Sequence, residues 1–199
     1  MPSKPTTVSL DSHAAATLRY IRSSMEGAAS FAVPGSAGIA LGSIGALATA
    51  LSYLSGLHDH WFEIWIVAAL AAAGAGSALL LRESSLRGLK LIGTPIRRFA
   101  LCLLPSLGAG VVLTAVRWYE HDLHDIAGIW LLLYGSALIS ASSVTIRTIG
   151  VMGGMFACLG LLAMLLPDSA QIIMLGLGFG GLHLLFGAVI GRMGHGREI

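Results

Sequence analysis

Charged residues are scarce in this chain. Asp, Glu, Lys and Arg make up 11% of its 199 residues, against about a quarter in an ordinary soluble domain. Hydrophobic residues make up 55%, and the mean hydropathy is +0.81. The scarcity of charge excludes an ordinary soluble protein and predicts a protein embedded in a membrane.

Cysteine is also rare, and no catalytic motif is recognisable. Cys102 and Cys158 both fall within apolar runs, where a packing role is more typical than a disulfide or a metal pair. The sequence has no glycine-rich phosphate loop after a strand, no GxSxG nucleophile elbow, no HExxH zinc motif and no pair of catalytic carboxylates. These absences predict a protein that is not an enzyme and that holds no cofactor.

The chain is instead rich in apolar stretches of about twenty residues, the length that a helix needs to cross about 30 Å of hydrocarbon. Six spans are predicted, at 33–56, 62–81, 99–118, 127–146, 148–166 and 171–191. Nearly all turns between them are short, and short turns make neighbouring helices antiparallel. The sequence therefore predicts an all-α polytopic membrane protein with six transmembrane helices that form three antiparallel hairpins.

Little of the chain lies outside these spans. The predicted divisions are a cytoplasmic N-terminal segment (1–31), a six-helix transmembrane domain (32–191) and a cytoplasmic C-terminal tail (192–199). Leu18, Ile21 and Met25 recur at helical spacing in the first segment, which is typical of an amphipathic helix too polar to span. That helix either lies on the membrane surface or docks on the bundle. The first segment lacks the short apolar core of a cleavable signal peptide.

The positions of the basic residues predict the orientation. Of the 12 Lys and Arg residues, only Arg117 falls on the side that carries the acidic turns. By the positive-inside rule, both termini are cytoplasmic in a multi-pass protein of the inner (plasma) membrane. The longest basic turn, residues 82–98, contains no aromatic residue. We therefore expect it to meet anionic lipid headgroups and not nucleic acid.

Two further patterns concern the helices. An outer turn and the helix after it recur three times, each copy running from an aspartate to an arginine: Asp59 to Arg82, Asp125 to Arg147 and Asp168 to Arg192. The pattern is explained either by a threefold hairpin repeat or by the similar appearance of any helices of this length that are bounded by charges.

Among 26 glycines, four pairs have small-xxx-small spacing: Gly38 and Gly42, Gly150 and Gly154, Gly176 and Gly180, Gly187 and Gly191. They predict close helix packing, within the chain or, less commonly, in a homo-oligomer or a larger membrane complex.

His183 is the only ionisable residue predicted deep inside a span, and such residues are costly enough to suggest a function. The sequence leaves three roles open for His183: a neutral donor to a serine or a carbonyl, a member of a solute or proton path, or an axial haem ligand opposite Met155 or Met164.

Four polar residues are predicted to form one stripe on the fourth span and to face the bundle or a wet crevice: Ser136, Ser140, Ser143 and Arg147.

The outer turns contain a second candidate site. Four histidines, His58, His60, His121 and His124, lie there among acidic residues. Imidazole and carboxylate groups bind zinc, copper or nickel, and histidine changes its charge between about pH 5 and 8. The sequence leaves three interpretations open: solvated polar caps, a metal site formed by the four histidines, or a sensor of external pH.

Several segments resemble a known family. HAAATLRYIRSSMEGAASFAVPGSAGIALG, RRFALCLLPSLGAG, GIWLLLYG and GFGGLHLLFG are similar to those of a group of uncharacterised bacterial six-helix membrane proteins, whose gene often neighbours that of a winged-helix regulator. GIWLLLYGSAL within a three-hairpin layout is also similar to the HdeD-type acid-resistance membrane proteins. Both resemblances imply a bacterial inner-membrane protein, and neither implies a catalytic residue.

These observations lead to three functional hypotheses. The first is a non-enzymatic membrane component for envelope or stress responses, or for sensing. The second is a small transporter or channel subunit with a polar path near His183. The third and most remote is a haem-binding redox subunit. Membrane lipids are the partners expected under all three.

Overall fold

The computed structural model describes residues 17–18, 33–54, 58–86 and 94–195, and the described residues form helices and short turns with no strand. We number the α-helices in chain order. They are α1 (Gly35–Ser52), α2 (Trp61–Leu86), α3 (Thr94–Tyr119), α4 (Ile126–Ala141), α5 (Arg147–Leu165), α6 (Gln171–Leu175) and α7 (His183–His195). A π-helical segment, Gly176–Leu182, joins α6 to α7. We call these last three elements together the C-terminal helix.

Five of the described helices are long and apolar enough to cross a membrane: Gly35–Ser52, Trp61–Leu86, Ile96–Tyr119, Arg147–Leu165 and Asp168–Met193. The predicted all-helical fold is therefore confirmed for the described residues, and these five helices are compatible with the predicted membrane protein. The predicted fourth span is shorter than expected, because α4 has only 16 residues. At 1.5 Å per residue it is about 24 Å long.

The chemistry of residues 142–146 explains why α4 ends early. The hydroxyl of Ser142 donates to the Ile139 carbonyl at 2.6 Å, and that of Ser143 donates to the Ser140 carbonyl at 2.8 Å. Serine hydroxyls that bond the backbone in this way compete with helical hydrogen bonds. The backbone amides of Ser143 and Val144 also bond carbonyls three residues back, so the chain tightens into a turn before α5.

The core lies where α4, α5 and the C-terminal helix meet. Its fully buried side chains include Leu131 on α4 and Phe156 on α5, and it extends to Phe186 and Ile190 on α7. Helix α1 packs along the C-terminal helix, α2 packs on α1, and α3 packs on α4. Helices α2 and α3 are therefore peripheral, and Ser84 is the only buried residue of α2.

Glycine sets the two closest helix contacts. A Cβ atom on Gly38 of α1 would lie 2.7 Å from the Cα of Gly187 on α7, and one on Gly135 of α4 would lie 2.7 Å from the carbonyl oxygen of Gly153 on α5. Only glycine allows two backbones to approach so closely, and such contact holds helices together in lipid. Gly154, which the spacing pattern also selected, has no neighbouring atom within 4 Å of a Cβ.

The packing differs from the three predicted hairpins in one respect. The first two pairs along the chain, α1 with α2 and α3 with α4, do pack together. Helix α5 packs most extensively on α4 and only slightly on the C-terminal helix, whose main partner is α1. The placement of glycine explains this pairing. Gly153 of α5 faces Gly135 of α4, and Gly187 of α7 faces Gly38 of α1, so these pairs of helices can approach most closely.

Several predictions fall outside the described residues. They include most of the amphipathic helix in residues 9–31, the middle of the basic turn 82–98 and the end of the tail 192–199. The threefold repeat stays a prediction. Two of its three aspartates, Asp59 and Asp168, lie in short 3-10 turns directly before a helix, whereas Asp125 precedes α4 with a left-handed backbone.

Candidate functional site

His183 lies at the junction between the π-helical segment and α7. Four of the seven residues of that segment, GLGFGGL, are glycines, which lower the preference for a regular α-helix. Short π segments are rare and are found frequently at functional sites. The side chain of His183 is 3% exposed, so the imidazole is inside the bundle, as the sequence predicted.

Tyr134 of α4 is the partner of this histidine. The distance between the Tyr134 hydroxyl and His183 Nε2 is 2.8 Å. The imidazole is also surrounded by aromatic rings, with its centroid 5.3 Å from that of Phe156 and 6.1 Å from that of Phe179, whose ring is stacked parallel to it. The site is therefore an aromatic cage with one polar contact, which offsets part of the cost of burying an imidazole in the membrane.

The four residues of the predicted polar stripe do not lie on one helix. Ser143 lies in the turn after α4, and Arg147 is the first residue of α5, so these two do not continue the α4 surface. Ser136 and Ser140 are exposed in the fold. The Ser136 hydroxyl donates to the Leu133 carbonyl at 2.8 Å, and it lies 3.4 Å from the hydroxyl of Ser106 on α3. The serines therefore do not line a path to His183.

The residues around His183 also do not fit an axial haem site. Its Nε2 atom is already within hydrogen-bond distance of Tyr134. Met155 and Met164, the two predicted sulfur ligands, are 41% and 38% exposed on the bundle surface. Neither methionine belongs to the buried cluster that contains Phe156, so neither provides a ligand opposite the imidazole.

The outer turns bring together a second group of polar side chains. His124, in the turn between α3 and α4, has its Nδ1 atom 2.6 Å from Asp168 Oδ1 and its Nε2 atom 3.3 Å from Asp125 Oδ1. Gln171, the first residue of α6, donates from Nε2 to the same Asp168 oxygen at 2.7 Å. The contact between His124 and Asp168 thus ties the α3–α4 turn to the start of the C-terminal helix.

Neighbouring charges complete this outer cluster. Asp122 accepts from the backbone N–H of His124 at 2.9 Å and pairs with Arg117 at 2.9 Å. Arg117 also lies 3.9 Å from Glu120, so the single basic residue on this side is neutralised locally. The hydrogen bond to Asp168, and then the charges of Asp125 and Asp122, raise the pKa of His124 above its ordinary value.

A pocket of about 350 Å³ opens beside this cluster. We call it the outer pocket. Its polar wall contains His121, Asp122, His124, Asp168, Ser169 and Gln171, and its apolar wall contains Trp61, Leu123 and Ile172. His121 and Asp125 have backbone φ values of 56° and 60°, so the turn beside the pocket has two residues in a conformation that side chains disfavour.

Among residues 17–18, 33–54, 58–86 and 94–195, no group of three or more His, Cys, Asp or Glu side chains could hold a metal ion. His60 lies in the 3-10 turn directly before α2, and its Nδ1 is 4.0 Å from Oε2 of Glu63 in the first turn of that helix. A metal at His58, His60, His121 and His124 stays a prediction. Cys102 and Cys158 are both free, and Cys102 packs beside Phe99.

Two residues of these sites were not found from the sequence. Tyr134 is in the segment GIWLLLYG, where a tyrosine within an apolar run is the available signal, because a tyrosine hydroxyl that is buried needs a partner. Gln171 is 6% exposed and is the first residue of α6. An uncharged amide at the edge of an apolar stretch gives no comparable signal.

Comparisons of this chain with protein-family models, with curated proteins and with solved structures find no match. The resemblance to the uncharacterised six-helix family and to the HdeD-type proteins therefore stays a prediction.

Proposed function

We propose that this chain is a non-enzymatic, multi-pass membrane protein of the bacterial inner membrane that responds to external pH. The outer cluster around His124 is its responsive end. The observation that carries the proposal is the 2.6 Å contact between His124 Nδ1 and Asp168 Oδ1. This contact joins two turns that are 44 residues apart in the chain, so a change in the charge of one imidazole alters how two helices are held.

The distribution of charge supports the proposed orientation. Arg97 and Arg98 lie at the start of α3, Arg147 begins α5, and Arg82 and Arg192 lie near the ends of α2 and α7. If each helix crosses the membrane, these ends share one side, which the positive-inside rule makes cytoplasmic. The six spans and the two cytoplasmic termini are part of this proposal, and they put the outer cluster outside the cell.

The sign of the pH response follows from the direction of the pKa shift. Because Asp168, Asp125 and Asp122 raise the pKa of His124, the charged contact stabilises the folded protein fully below pH 6.5, the ordinary value of a histidine. That stabilisation is lost as the pH rises through the higher value in the folded protein. His121, Gln171 and Asp122, which pairs with Arg117, also line the outer pocket beside this contact.

The experiment compares the wild type with His124→Gln and Asp168→Asn in detergent. Hydrogen–deuterium exchange is measured for peptides that cover residues 168–182, at pH 6 and at pH 8, with variant and wild type compared at each pH. We expect the wild type to be more protected than either variant at pH 6. At pH 8 the difference should be smaller than at pH 6, because the charged contact is lost as the pH rises through the raised pKa of His124.

His60→Gln is the matched control. His60 is also an exposed outer histidine near a carboxylate, but Glu63 belongs to the same helix start, so this contact joins no two elements. We expect the control to exchange like the wild type at both pH values. If wild type and His124→Gln keep the same difference at pH 6 and pH 8, the outer cluster is not a pH-responsive contact and the proposal is wrong.

A transport path near His183 has weaker support. The serines that were expected to line it are exposed in the fold. Below His183, toward the arginine-rich ends, the described core is formed by apolar side chains that include Ile149, Met152, Phe186 and Ile190. Such an interior offers no continuous polar route across the described part of the protein.

A further inference from the structure

Three buried side-chain atoms have no hydrogen-bond partner among the described residues. They are Trp65 Nε1, Gln171 Oε1 and His183 Nδ1. Most buried polar atoms in proteins are hydrogen-bonded, and each exception needs a physical explanation. In a membrane protein the cost of such an atom is not reduced by bulk water. The His183 ring lies near the backbone of Gly178 and Phe179, but Nδ1 has no partner with good hydrogen-bond geometry.

Ring contacts connect the outer pocket to the buried histidine by way of Trp65. Gln171 and Trp61 both line that pocket. Trp65 lies one helical turn deeper than Trp61 on the same face of α2, and its ring is 6.1 Å from that of Phe179. Phe179 in turn stacks on His183 at 6.1 Å. Trp65 is therefore between the pocket and the buried histidine.

Water molecules can satisfy all three atoms, which make no direct hydrogen bond to one another. The indole N–H of Trp65 can only donate, and the amide oxygen of Gln171 can only accept. The Gln171 amide orientation is fixed, because its nitrogen faces the Asp168 carboxylate at 2.7 Å. A water molecule both donates and accepts, and buried waters typically make about three hydrogen bonds to such atoms.

We propose that a file of water molecules runs from the outer pocket to the buried imidazole and bridges Gln171 Oε1, Trp65 Nε1 and His183 Nδ1. The file is closed at the inner end by the apolar side chains below His183, including Phe186 and Ile190. The ring proton of His183 thus exchanges with water from the pocket, although the imidazole is 3% exposed. This inference depends on the proposed function only for the statement that the pocket faces outward.

The test is the rate at which ring N–H protons exchange with solvent, measured by NMR on 15N-labelled protein in detergent. Trp130 is the internal reference. Its indole N–H is held by the Thr114 hydroxyl at 2.9 Å, whereas that of Trp65 has no such protein partner. We expect the Trp65 indole and the His183 ring to exchange at least about tenfold faster than the Trp130 indole, because a hydrated site needs no opening of the fold.

The variant Gln171→Leu keeps a similar side-chain volume but removes the amide oxygen that binds the first water molecule beside the pocket. We expect exchange at Trp65 and His183 to slow by about tenfold in this variant, while exchange at Trp130 is unchanged. Exchange at Trp65 and His183 as slow as at Trp130 in the wild type would overturn the proposal, even if the variant failed to fold. Unaltered fast exchange in a folded Gln171→Leu protein would also overturn it.

His124→Gln separates this inference from the pH-responsive contact. We expect Trp65 and His183 to keep fast exchange in this variant, since His124 is not one of the bridged residues. A protein that lacks the pH response but shows fast exchange at Trp65 would leave the water file in place and contradict only the proposed function. A protein that shows the pH response but slow exchange at Trp65 would contradict the water file and leave the proposed function in place.

Discussion

At the scale of single residues, the contact between Tyr134 and His183 determines how a histidine is tolerated inside the membrane. The tyrosine hydroxyl satisfies Nε2 at 2.8 Å, and the surrounding rings of Phe156 and Phe179 exclude lipid from the imidazole. A phenol is well suited to this role, since it provides one polar group on an otherwise apolar ring. The pair is therefore structural as well as a candidate for function.

We expect Tyr134→Phe to destabilise the protein by about 1–3 kcal/mol, because Nε2 of a buried imidazole then has no partner. The measurement is thermal unfolding in detergent. Tyr119→Phe is the matched control, since Tyr119 is 85% exposed, and it should unfold like the wild type. If the two variants are equally stable, the hydroxyl of Tyr134 does not support His183.

The sequence predicted that His183 is buried but could not predict its partner. An ionisable residue in the middle of an apolar run is visible in the sequence itself, because nothing else in the run can solvate it. Its partner is 49 residues away, and the choice between Tyr134 and the neighbouring serines depends on how α4 is rotated. That rotation is set by contacts with other helices, which a single sequence does not record.

At the scale of helices, glycine decides which elements become neighbours. Gly135 and Gly153 place the backbones of α4 and α5 in direct contact, with a Cβ on either residue 2.7 Å from the carbonyl oxygen of the other. The adjacent Gly154 faces no other atom within 4 Å. Two consecutive glycines on one helix thus have opposite environments.

These two glycines provide a matched pair of variants. Gly153→Ala and Gly154→Ala both gain about 1 kcal/mol of helix propensity, but only the first introduces a Cβ into the α4–α5 contact. We expect Gly153→Ala to be destabilised by about 1–3 kcal/mol from overpacking. Gly154→Ala should be as stable as the wild type or more stable. Equal unfolding temperatures for the two variants in detergent would show that α4 and α5 are not in close contact at Gly153.

Helix boundaries were predicted well where they depend on hydropathy and less well where side chains bond the backbone. The predicted span 148–166 corresponds to Arg147–Leu165 within one residue. The predicted span 127–146 extends five residues beyond Ala141, where α4 ends. Ser142 and Ser143 are small enough to be accepted within a membrane helix, so composition alone does not reveal that their hydroxyls end it.

At the scale of the whole molecule, the bundle has a tight centre and two loosely held helices. Helices α2 and α3 each pack mainly on one partner, and their surfaces include exposed apolar residues such as Leu70 and Val111. In a bilayer these surfaces contact acyl chains. The Phe62 ring stacks on that of Trp118 at 5.2 Å, which joins the two peripheral helices at their outer ends.

The orientation is tested with single cysteines in a background where Cys102 and Cys158 are replaced by Ala. Ser169→Cys lies beside the outer pocket, and Ser85→Cys lies near the end of α2 at the basic side. With a membrane-impermeant thiol reagent on intact cells, we expect labelling at position 169 but not at position 85. Both positions are exposed in the fold, so permeabilised cells should be labelled at each.

The reverse pattern in intact cells, with position 85 labelled and position 169 protected, would invert the topology and place the outer cluster in the cytoplasm. The sequence could predict the long apolar helices because these depend on where polar residues lie along the chain, and the orientation stays a prediction. It could not predict that α5 prefers α4 to the C-terminal helix. That preference depends on which glycines face each other, and glycines occur throughout the chain.

The π-helical segment has a consequence for how this chain tolerates insertions and deletions. Each residue of an α-helix turns the chain by about 100°, so the loss of one residue between Gly176 and Leu182 would change the angular phase between α6 and α7. Gln171 and the glycines of α7 would then no longer face their present neighbours together. We expect substitutions to be accepted at the exposed Leu177 and at Gly181, whereas Gly176 and Gly178 have no room for a Cβ and a change in the length of the segment disturbs both helices.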